Sequence, residues 1–296
     1  MHPDAPVYPA SITSQTIDVA GFTLTALRQS AQTTQKLQTP VLCVHGWLDN
    51  AASFVPLMPY IQNAEIVAID LPGHGHSSSL GAAGEFNFLE VALLIPRIIQ
   101  ALGWRSCHLL GHSLGANLAL VASAAAPEMI ASLVLLEAAG PPTELANKLP
   151  ERLKKSLQHR QNPEKFHSRH FETTAQAVAS RLAAAKMSTA SAQLVVERQL
   201  RPTDDGYKWR FDSRFRHASS LYLTEEQVSA LLQSVSSPTL AVLADDGLLN
   251  NIDQVQKRLK QLANVTIEHV PGNHHMHMDE PEPTGQLLQA HLRKHG

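Results

Sequence analysis

The sequence predicts an α/β protein built on a mainly parallel sheet that is flanked by helices. Short continuous apolar runs, typical of strands covered on both faces, alternate along the chain with stretches of helical spacing. Strands that alternate with helices in this way imply parallel pairing through right-handed crossovers. A local observation agrees, because residues 111–115 read G-x-S-x-G between an apolar run and a helix-forming run, which is a strand–turn–helix signature.

The elements are predicted in chain order from these patterns. Residues 16–29 form two strands around Gly21, since β-branched residues lie on both sides of it. A helix is expected over 86–102, with Pro96 inside it as a potential kink. The continuous apolar runs predict further buried strands at 41–44, 66–69, 107–110, 133–136, 239–243 and 265–267.

The alternation stops between residues 141 and 236, where the text is helix-like and polar. We therefore predict a helical lid inserted after the sixth strand, and a core domain formed by residues 1–140 and 237–296. The lid carries 15 Lys and Arg against 10 Asp and Glu, so its charges are either simply solvated or attract acidic groups of a substrate. Aromatic residues of the lid are expected to shape the pocket, namely Phe166, Phe171, Trp209 and Phe211.

Composition limits the classes of function. The net charge of −2 gives the whole chain no polyanion-binding signature, so no nucleic-acid partner is predicted. No apolar run reaches the roughly 18 residues of a membrane span, and no signal peptide is predicted at the N-terminus. The two cysteines, Cys43 and Cys107, lie in predicted buried strands, which suits free thiols in a reducing cytoplasm.

Ser113 is the candidate nucleophile, because Gly111 and Gly115 allow the sharp turn that exposes a serine at this motif. A serine needs a base within hydrogen-bond reach, and the base needs an acid to orient it. With this motif the acid and then the histidine follow the serine along the chain. His274 is the preferred base, since it follows the last predicted strand and Gly272 supplies a flexible turn.

Two other histidines lie in the same loop. His275 and His277 are read as structural residues that pack beneath the lid. The pattern His-x-His-x-Asp that ends at Asp279 would also suit a metal ion, but few residues follow it and no second ligand cluster is present, so no metal is predicted.

The acid has two possible sources. The loop after strand 133–136 offers Glu137, and the loop after strand 239–243 offers Asp245 and Asp246. Both loops leave the carboxyl edge of the sheet, where ligands bind in open α/β sheets. A carboxylate at Glu137, which ends an apolar strand, must be paired or hydrogen-bonded to stay charged.

Acyl transfer also needs donors for the developing oxyanion. The backbone N–H of Leu114, at the start of the helix after Ser113, is one candidate. The N–H of Trp47, in the loop after strand 41–44, is the other, and Gly46 would let that loop approach the ligand. The side chains of His45 and His112 are expected to hold this loop and the serine turn by hydrogen bonds.

With these features in place the chain resembles the α/β-hydrolases. Residues 70–77 (DLPGHGHS) resemble a turn that follows the fourth strand of that family. Residues 45–50 (HGWLDN), 209–212 (WRFD) and 272–275 (GNHH) are similar to the serine hydrolase-like proteins. The resemblance covers residues from about 16 to 290 apart from the lid, and it implies the α/β-hydrolase fold and hydrolase chemistry without a cofactor.

The sequence departs from the common family pattern at the acid. The usual position, in the turn after the seventh strand, is here Gly247. Some members of the family carry the acid after the sixth strand instead, and Glu137 resembles that arrangement, which ranks it above Asp245 and Asp246. A serine at position 113 also makes dehalogenase and epoxide hydrolase activities unexpected, because the resembled enzymes use aspartate there.

The predicted function is a serine hydrolase that cleaves carboxylic esters or thioesters of small molecules through an acyl-enzyme on Ser113. Two alternatives stay open. One is hydrolysis of a carbon–carbon bond in a vinylogous diketone by the same residues. The other is a binding protein on a hydrolase scaffold, since a fold does not guarantee activity.

Overall fold

The protein is described by a computed structural model that covers residues 8–31, 39–81, 84–249 and 253–296. Its central feature is an eight-stranded sheet with the order β1-β2-β4-β3-β5-β6-β10-β11. These strands are β1 (Ile12–Val19), β2 (Phe22–Gln29), β3 (Val41–Val44), β4 (Ile66–Ile69), β5 (Cys107–His112), β6 (Ile130–Leu136), β10 (Thr239–Asp246) and β11 (Val265–Asn273). Three short strands, β7 (His170–Phe171), β8 (Leu200–Thr203) and β9 (Gly206–Trp209), form a separate sheet.

The described residues form nine α-helices, some of which pack on the two faces of the main sheet while others belong to the segment between β6 and β10. They are α1 (Phe88–Ala101), α2 (Leu114–Ala125), α3 (Leu149–Gln161), α4 (Thr174–Ala184), α5 (Thr189–Gln199), α6 (Glu225–Ser234), α7 (Asp253–Leu259), α8 (Met276–Asp279) and α9 (Pro281–His295). In the described part of the chain, no helix combines the length and the apolar character that a bilayer crossing requires.

The predicted fold class is confirmed. The first two strands pair antiparallel with their neighbours, and all other neighbours in the main sheet are parallel. Both faces of the inner strands are buried, because successive side chains point to opposite sides. In β5, for example, Leu109 packs into the apolar cluster that contains α1 and α2, whereas Leu110 packs into the cluster that contains α9.

Helix α1 shows how local signals set an element's ends. Its N-cap is Asn87, whose side chain accepts a hydrogen bond from Leu89 N at 2.9 Å. Pro96 lies inside the helix without ending it, and the buried face continues beyond it through Ile98 and Ile99. The spacing of apolar residues therefore outweighs the lost backbone hydrogen bond at the proline.

The insertion between β6 and β10 is mainly helical, but it also contains the β7-β9-β8 sheet, which the sequence patterns did not reveal. Two buried contacts fasten it to the core. Arg198 of α5 donates to both carboxylate oxygens of Asp70 at 3.0 and 2.7 Å, with side chains 3% and 0% exposed. The Asn50 amide donates to Val195 O at 2.8 Å, also in a buried setting.

Candidate active site

Ser113 lies in a strained turn between β5 and α2. Its backbone has a φ of 50° and a ψ of −113°, a region that L-residues rarely adopt and that is often found at functional sites. A Cβ at Gly111 would collide with the backbone of Ala116, and one at Gly115 would collide with the carbonyl of Val44. The two glycines are thus required by the close approach of backbones on either side of the serine.

The turn is fixed to the next strand of the sheet. Ser113 N donates to Leu136 O, the last residue of β6, at 2.9 Å. Glu137 follows directly, and it also has a positive φ, 52°. The serine and this carboxylate therefore leave adjacent parallel strands at the same edge of the sheet.

Glu137 and His274 are within hydrogen-bond distance of each other. His274 follows β11, and its Nδ1 lies 3.1 Å from Glu137 Oε2. The carboxylate is fully buried, whereas the imidazole is 18% exposed. Glu137 also accepts from Ala244 N to Oε1 at 2.9 Å and from Leu248 N to Oε2 at 3.0 Å, so its charge receives three donors.

Gly247 explains how the carboxylate of Glu137 fits. A Cβ at this position would collide with the carboxyl group of Glu137. The absence of a side chain at position 247 and the presence of a glutamate at 137 are therefore two parts of one arrangement.

The competing aspartates lie elsewhere. Asp245 and Asp246 are both exposed. The carboxylate of Asp246 is 74% exposed and forms an ion pair with Lys186 at 3.6 Å, whose side chain is 72% exposed. Such an exposed pair is worth little and holds neither group in place.

The loop after β3 packs against the serine turn. Gly46 approaches the ring of His112, and a Cβ there would come to 2.9 Å from His112 Nδ1. The side chain of Trp47 is 51% exposed, and its Nε1 donates to Phe215 O at 3.2 Å. Leu114 is the first residue of α2, and both Trp47 and Leu114 line the cavity that contains Ser113.

The expected supporting roles of His45 and His112 are confirmed. His45 Nε2 accepts from Leu71 N at 3.0 Å, and its Nδ1 donates to Gly46 O at 2.8 Å. His112 Nε2 donates to the backbone carbonyl of His274 at 2.8 Å, which ties the histidine loop to the serine turn. Burial, and next the neighbouring His277, hold the pKa of His112 well below its usual value, so the ring is neutral at neutral pH.

His275 and His277 are both buried, which is compatible with the packing role expected for them. His275 Nε2 accepts from Arg181 Nη2 at 3.2 Å, and the same guanidinium nitrogen lies 2.5 Å from Asp49 Oδ1. Burial alone would raise the pKa of Asp49, but Arg181 and His275 outweigh it and hold that pKa well below the usual range. Burial lowers the pKa of His277 to about 3, so it is a neutral core residue.

The carboxylate of Asp279 is occupied by hydrogen bonds from neighbouring side chains. It accepts hydrogen bonds from Ser191 Oγ at 2.6 Å and from Asn273 Nδ2 at 3.0 Å. Within residues 8–31, 39–81, 84–249 and 253–296, no three His, Cys, Asp or Glu side chains are grouped as metal ligands would be.

A cavity of about 620 Å³ lies beside Ser113. Most of its lining comes from four places: the loop before α1 and the first turns of that helix, the start of α2, helix α3, and the segment 214–223. Trp47, Leu71, Pro141 and Pro142 complete it. This size suits a small organic molecule of drug-like dimensions.

The expectation about the lid aromatics is corrected by this lining. The cavity aromatics are instead Trp47, Phe86, Phe88, Phe215 and Tyr222. Phe171 and Trp209 pack edge to face at 5.0 Å in a small apolar cluster of the insertion, and Trp209 stacks on Phe211 at 5.8 Å. Phe166 packs against His159 and His217, which themselves line the cavity, so it supports the wall from behind.

Comparisons with known proteins agree with this architecture. Residues 39–281 match the alpha/beta hydrolase fold family. A serine hydrolase-like protein of Danio rerio is 31% identical over 267 residues, which cover 86% of this chain and 81% of that protein.

Two solved structures are also similar. A hypothetical protein from Pseudomonas aeruginosa PAO1 superimposes with a TM-score of 0.90 at 30% identity, over 96% of this chain and 100% of that chain. A thioesterase domain from the curacin biosynthetic pathway has a TM-score of 0.79 at 25% identity, over 94% and 98% of the two chains. The chain therefore belongs to the α/β-hydrolase family, and within that family it is similar to the serine hydrolase-like proteins.

Proposed function

We propose that the protein is a serine hydrolase that cleaves carboxylic esters or thioesters of small molecules through an acyl-enzyme on Ser113. The observation that carries the proposal is the hydrogen bond between His274 and Glu137 next to the strained serine turn. An imidazole oriented by a buried carboxylate is what a serine requires to act as a nucleophile at neutral pH.

The hydrogen bond assigns a task to each nitrogen of His274. Its Nδ1–H donates a hydrogen bond to the carboxylate of Glu137, so Nε2 carries no proton and can act as the acceptor. In the proposed reaction Ser113 Oγ attacks the carbonyl carbon while Nε2 takes the hydroxyl proton. The protonated imidazole then gives this proton to the leaving alcohol or thiol. In the second half of the reaction water attacks the acyl-enzyme while Nε2 takes a proton from it, and the imidazolium returns a proton to Ser113 Oγ as the acid leaves.

The backbone N–H groups of Leu114 and Trp47 are the proposed oxyanion donors. Leu114 begins α2, where the helix dipole favours negative charge. Trp47 belongs to the loop that packs on the serine turn through Gly46. Removing one such donor in a serine hydrolase costs about 100- to 1,000-fold in kcat.

Glu137 is proposed as the acid in preference to Asp245 and Asp246. Its buried carboxylate accepts from His274, whereas both aspartates are exposed and Asp246 pairs with Lys186. The buried carboxylate accepts three hydrogen bonds, and its position beside His274 lets it stabilise the imidazolium that forms during the reaction.

We also propose that residues 141–236 act as a lid over the cavity, with 1–140 and 237–296 as the core domain. Helix α3 and residues 214–223 of this segment contribute to the cavity wall, which supports the assignment.

A cytoplasmic location is also proposed. The two thiols, Cys43 and Cys107, are free and buried, which fits a reducing compartment.

The test of the proposal is turnover by Ser113→Ala. We expect kcat for p-nitrophenyl esters to fall by about 1,000-fold or more, with little change in thermal stability. Ser234→Ala is the matched control, because Ser234 is exposed on α6 and donates to Leu231 O. Near-native esterase turnover by Ser113→Ala would overturn the proposal.

The same assay separates the alternative reactions. Turnover of a vinylogous diketone from ring fission is measured alongside turnover of oxygen esters and thioesters. The substrate class with the higher kcat/KM distinguishes carbon–carbon bond hydrolysis from ester or thioester hydrolysis. The similarity to a thioesterase domain makes the thioester arm the first one to measure.

A further inference from the structure

The cavity beside Ser113 is lined by two chemically different sets of side chains. One set is apolar and includes Phe88, Leu118, Phe215 and Leu221. The other set is cationic and consists of Arg152, Lys155, Arg160, Arg214 and Arg216. Among the described residues that line the cavity, Glu85 is the only acidic one.

Three of these cations already have carboxylate partners. Arg152 Nη2 donates to Glu144 at 2.6 Å. Arg214 Nη2 pairs with Asp212 at 2.5 Å. Arg160 Nε lies 3.8 Å from the carboxylate of Glu85.

Lys155 and Arg216 remain without such partners. In the part of the chain that the structure describes, neither forms an ion pair, and the Arg216 guanidinium lies 6.0 Å from the ring of Phe166. Cations without a paired carboxylate in the lining of one cavity attract anions, since a cleft with low-dielectric walls focuses the field.

His217 also lines the cavity, and its side chain is only 6% exposed. Within the described residues neither ring nitrogen has a hydrogen-bond partner, and both nitrogens are closed to solvent. The nearest carboxylate oxygen, on Glu85, is 3.7 Å from Nδ1, which is too far for a hydrogen bond. Because neither nitrogen is accessible from the cavity, His217 packs in its lining and is not counted as a ligand contact.

The adjacent His159 has a defined role for its ring. Its Nδ1 accepts from Ala218 N at 2.9 Å, so the neutral ring carries its proton on Nε2. It lines the same cavity as Lys155 and His217. A hydrogen-bond donor thus accompanies the two cations in the lining of the cavity.

We propose that the substrate carries an anionic oxyacid group, a phosphate or a carboxylate, which Lys155 and Arg216 bind while its acyl bond is cleaved at Ser113. This inference rests on the proposed hydrolase function and names the substrate class of the same cavity. The apolar side chains of the lining receive the hydrocarbon between the anion and the acyl bond. Lys and Arg are the usual protein partners of such oxyanions, and an imidazole N–H adds directional bonding.

The kinetic test compares p-nitrophenyl esters of equal chain length. One ends in a methyl group, one in a carboxylate and one in a phosphate. We expect at least one anionic ester to exceed the neutral ester about tenfold in kcat/KM. The faster of the two anionic esters identifies the oxyacid.

The variants Lys155→Gln and Arg216→Gln should each lower kcat/KM for that ester about tenfold more than for the neutral ester. Lys154→Gln is the matched control, since Lys154 is exposed on α3 like Lys155 but lies outside the lining of the cavity. Each tenfold change corresponds to about 1.4 kcal/mol. Equal rates for neutral and anionic esters, or equal effects of Lys155→Gln and Lys154→Gln, would overturn the inference.

A binding measurement keeps the inference independent of turnover. Hexyl phosphate, hexanoate and hexanol are titrated calorimetrically into the wild-type protein and the three variants. We expect at least one anion to bind more tightly than hexanol and to lose affinity in Lys155→Gln and Arg216→Gln but not in Lys154→Gln. Anion binding without any ester turnover would contradict the proposed function alone, whereas turnover of neutral esters without anion binding would contradict this inference alone.

Discussion

Replacing Glu137 by glutamine perturbs the proposed catalytic acid with almost no change in shape. In the native protein one carboxylate oxygen accepts from Ala244 N, and the other accepts from Leu248 N and His274 Nδ1. An amide has a single acceptor oxygen, so one of these two positions must present an NH₂ group to a donor. The glutamine therefore either loses a backbone hydrogen bond or disrupts the hydrogen bond to the imidazole.

The expected magnitudes follow from these two orientations. Removing the buried charge leaves the imidazolium without its partner, or selects the wrong tautomer, and such a change costs about 10,000-fold in kcat in a serine triad. That loss corresponds to about 5 kcal/mol of transition-state stabilisation. The amide can turn its NH₂ towards Ala244 N alone, and one mismatched donor costs only about 1–3 kcal/mol of folding free energy, so Glu137→Gln should remain folded.

The assay is kcat under saturating p-nitrophenyl ester, with thermal unfolding recorded for each variant. Asp246→Asn is the matched control, because its exposed ion pair with Lys186 contributes at most about 1 kcal/mol, and its kcat should stay within about twofold of the native value. A far larger loss of kcat in Asp246→Asn than in Glu137→Gln would refute the reasoning.

Moving the acid to the other loop gives a gain-of-function version of this test. A side chain at position 247 would occupy the space of the Glu137 carboxylate, and the φ of 52° at Glu137 suits glycine. Glu137→Gly combined with Gly247→Asp should therefore recover at least tenfold of the kcat that Glu137→Gly loses. Gly247→Asp alone should destabilise the fold by about 1–3 kcal/mol through overpacking. If the folded double variant recovers no kcat, the idea that carboxylates at positions 137 and 247 can occupy the same place beside His274 is wrong.

The remaining predictions concern stability. Burial lowers the pKa of His74 and of His277 to about 3, so below pH 6.5 the unfolded chain binds protons that the folded chain does not. Between pH 7.5 and pH 5 the free energy of unfolding, measured in urea, should therefore fall by about 2 kcal/mol for each of the two histidines. The variant His277→Leu should show a smaller fall. A free energy of unfolding that does not change over this range would contradict the burial argument. Arg198→Ala removes the ion-pair partner of the buried Asp70 and should lower the free energy of unfolding by about 3–5 kcal/mol. Arg198→Met combined with Asp70→Asn should recover part of this stability. A fall below about 1 kcal/mol in Arg198→Ala would show that the pair does not hold the insertion to the core.

The main sheet could be predicted from the sequence because its strands are buried on both faces. Strand β3 is buried along its whole length and reads as a continuous apolar run. The small sheet of the insertion could not be found in this way, since β7 has two residues and β9 is half-buried throughout. Strand β11 extends to Asn273, beyond the predicted 265–267, because its parallel pairing with β10 continues past a register shift.

At the candidate site, local motifs and long-range contacts differ in how well they could be predicted. The turn at Ser113 is specified by the two glycines around it, within five residues. The choice of acid depends instead on whether the loop after β6 or the loop after β10 reaches His274, and no local pattern records that distance. Gly247 is the one sequence signal that favours Glu137, because a missing side chain at the usual acid position leaves room for its carboxylate.

The cavity lining was the least predictable part. Its walls combine residues near 85–91 with residues near 152–160 and 214–223, which are far apart in the sequence. Large aromatic side chains of the insertion, such as Trp209, were reasonable candidates, but they form the apolar cluster that stabilises the insertion itself. Apolar residues are needed for both purposes, so their type alone does not distinguish them.

The most direct test of the account is to map the adduct of a fluorophosphonate probe by mass spectrometry of proteolytic peptides. The account predicts one adduct, on Ser113, which forms at least about 100-fold more slowly in His274→Gln and not at all in Ser113→Ala. A folded protein whose Ser113 stays unmodified, or one in which labelling proceeds at the native rate without His274, would contradict it.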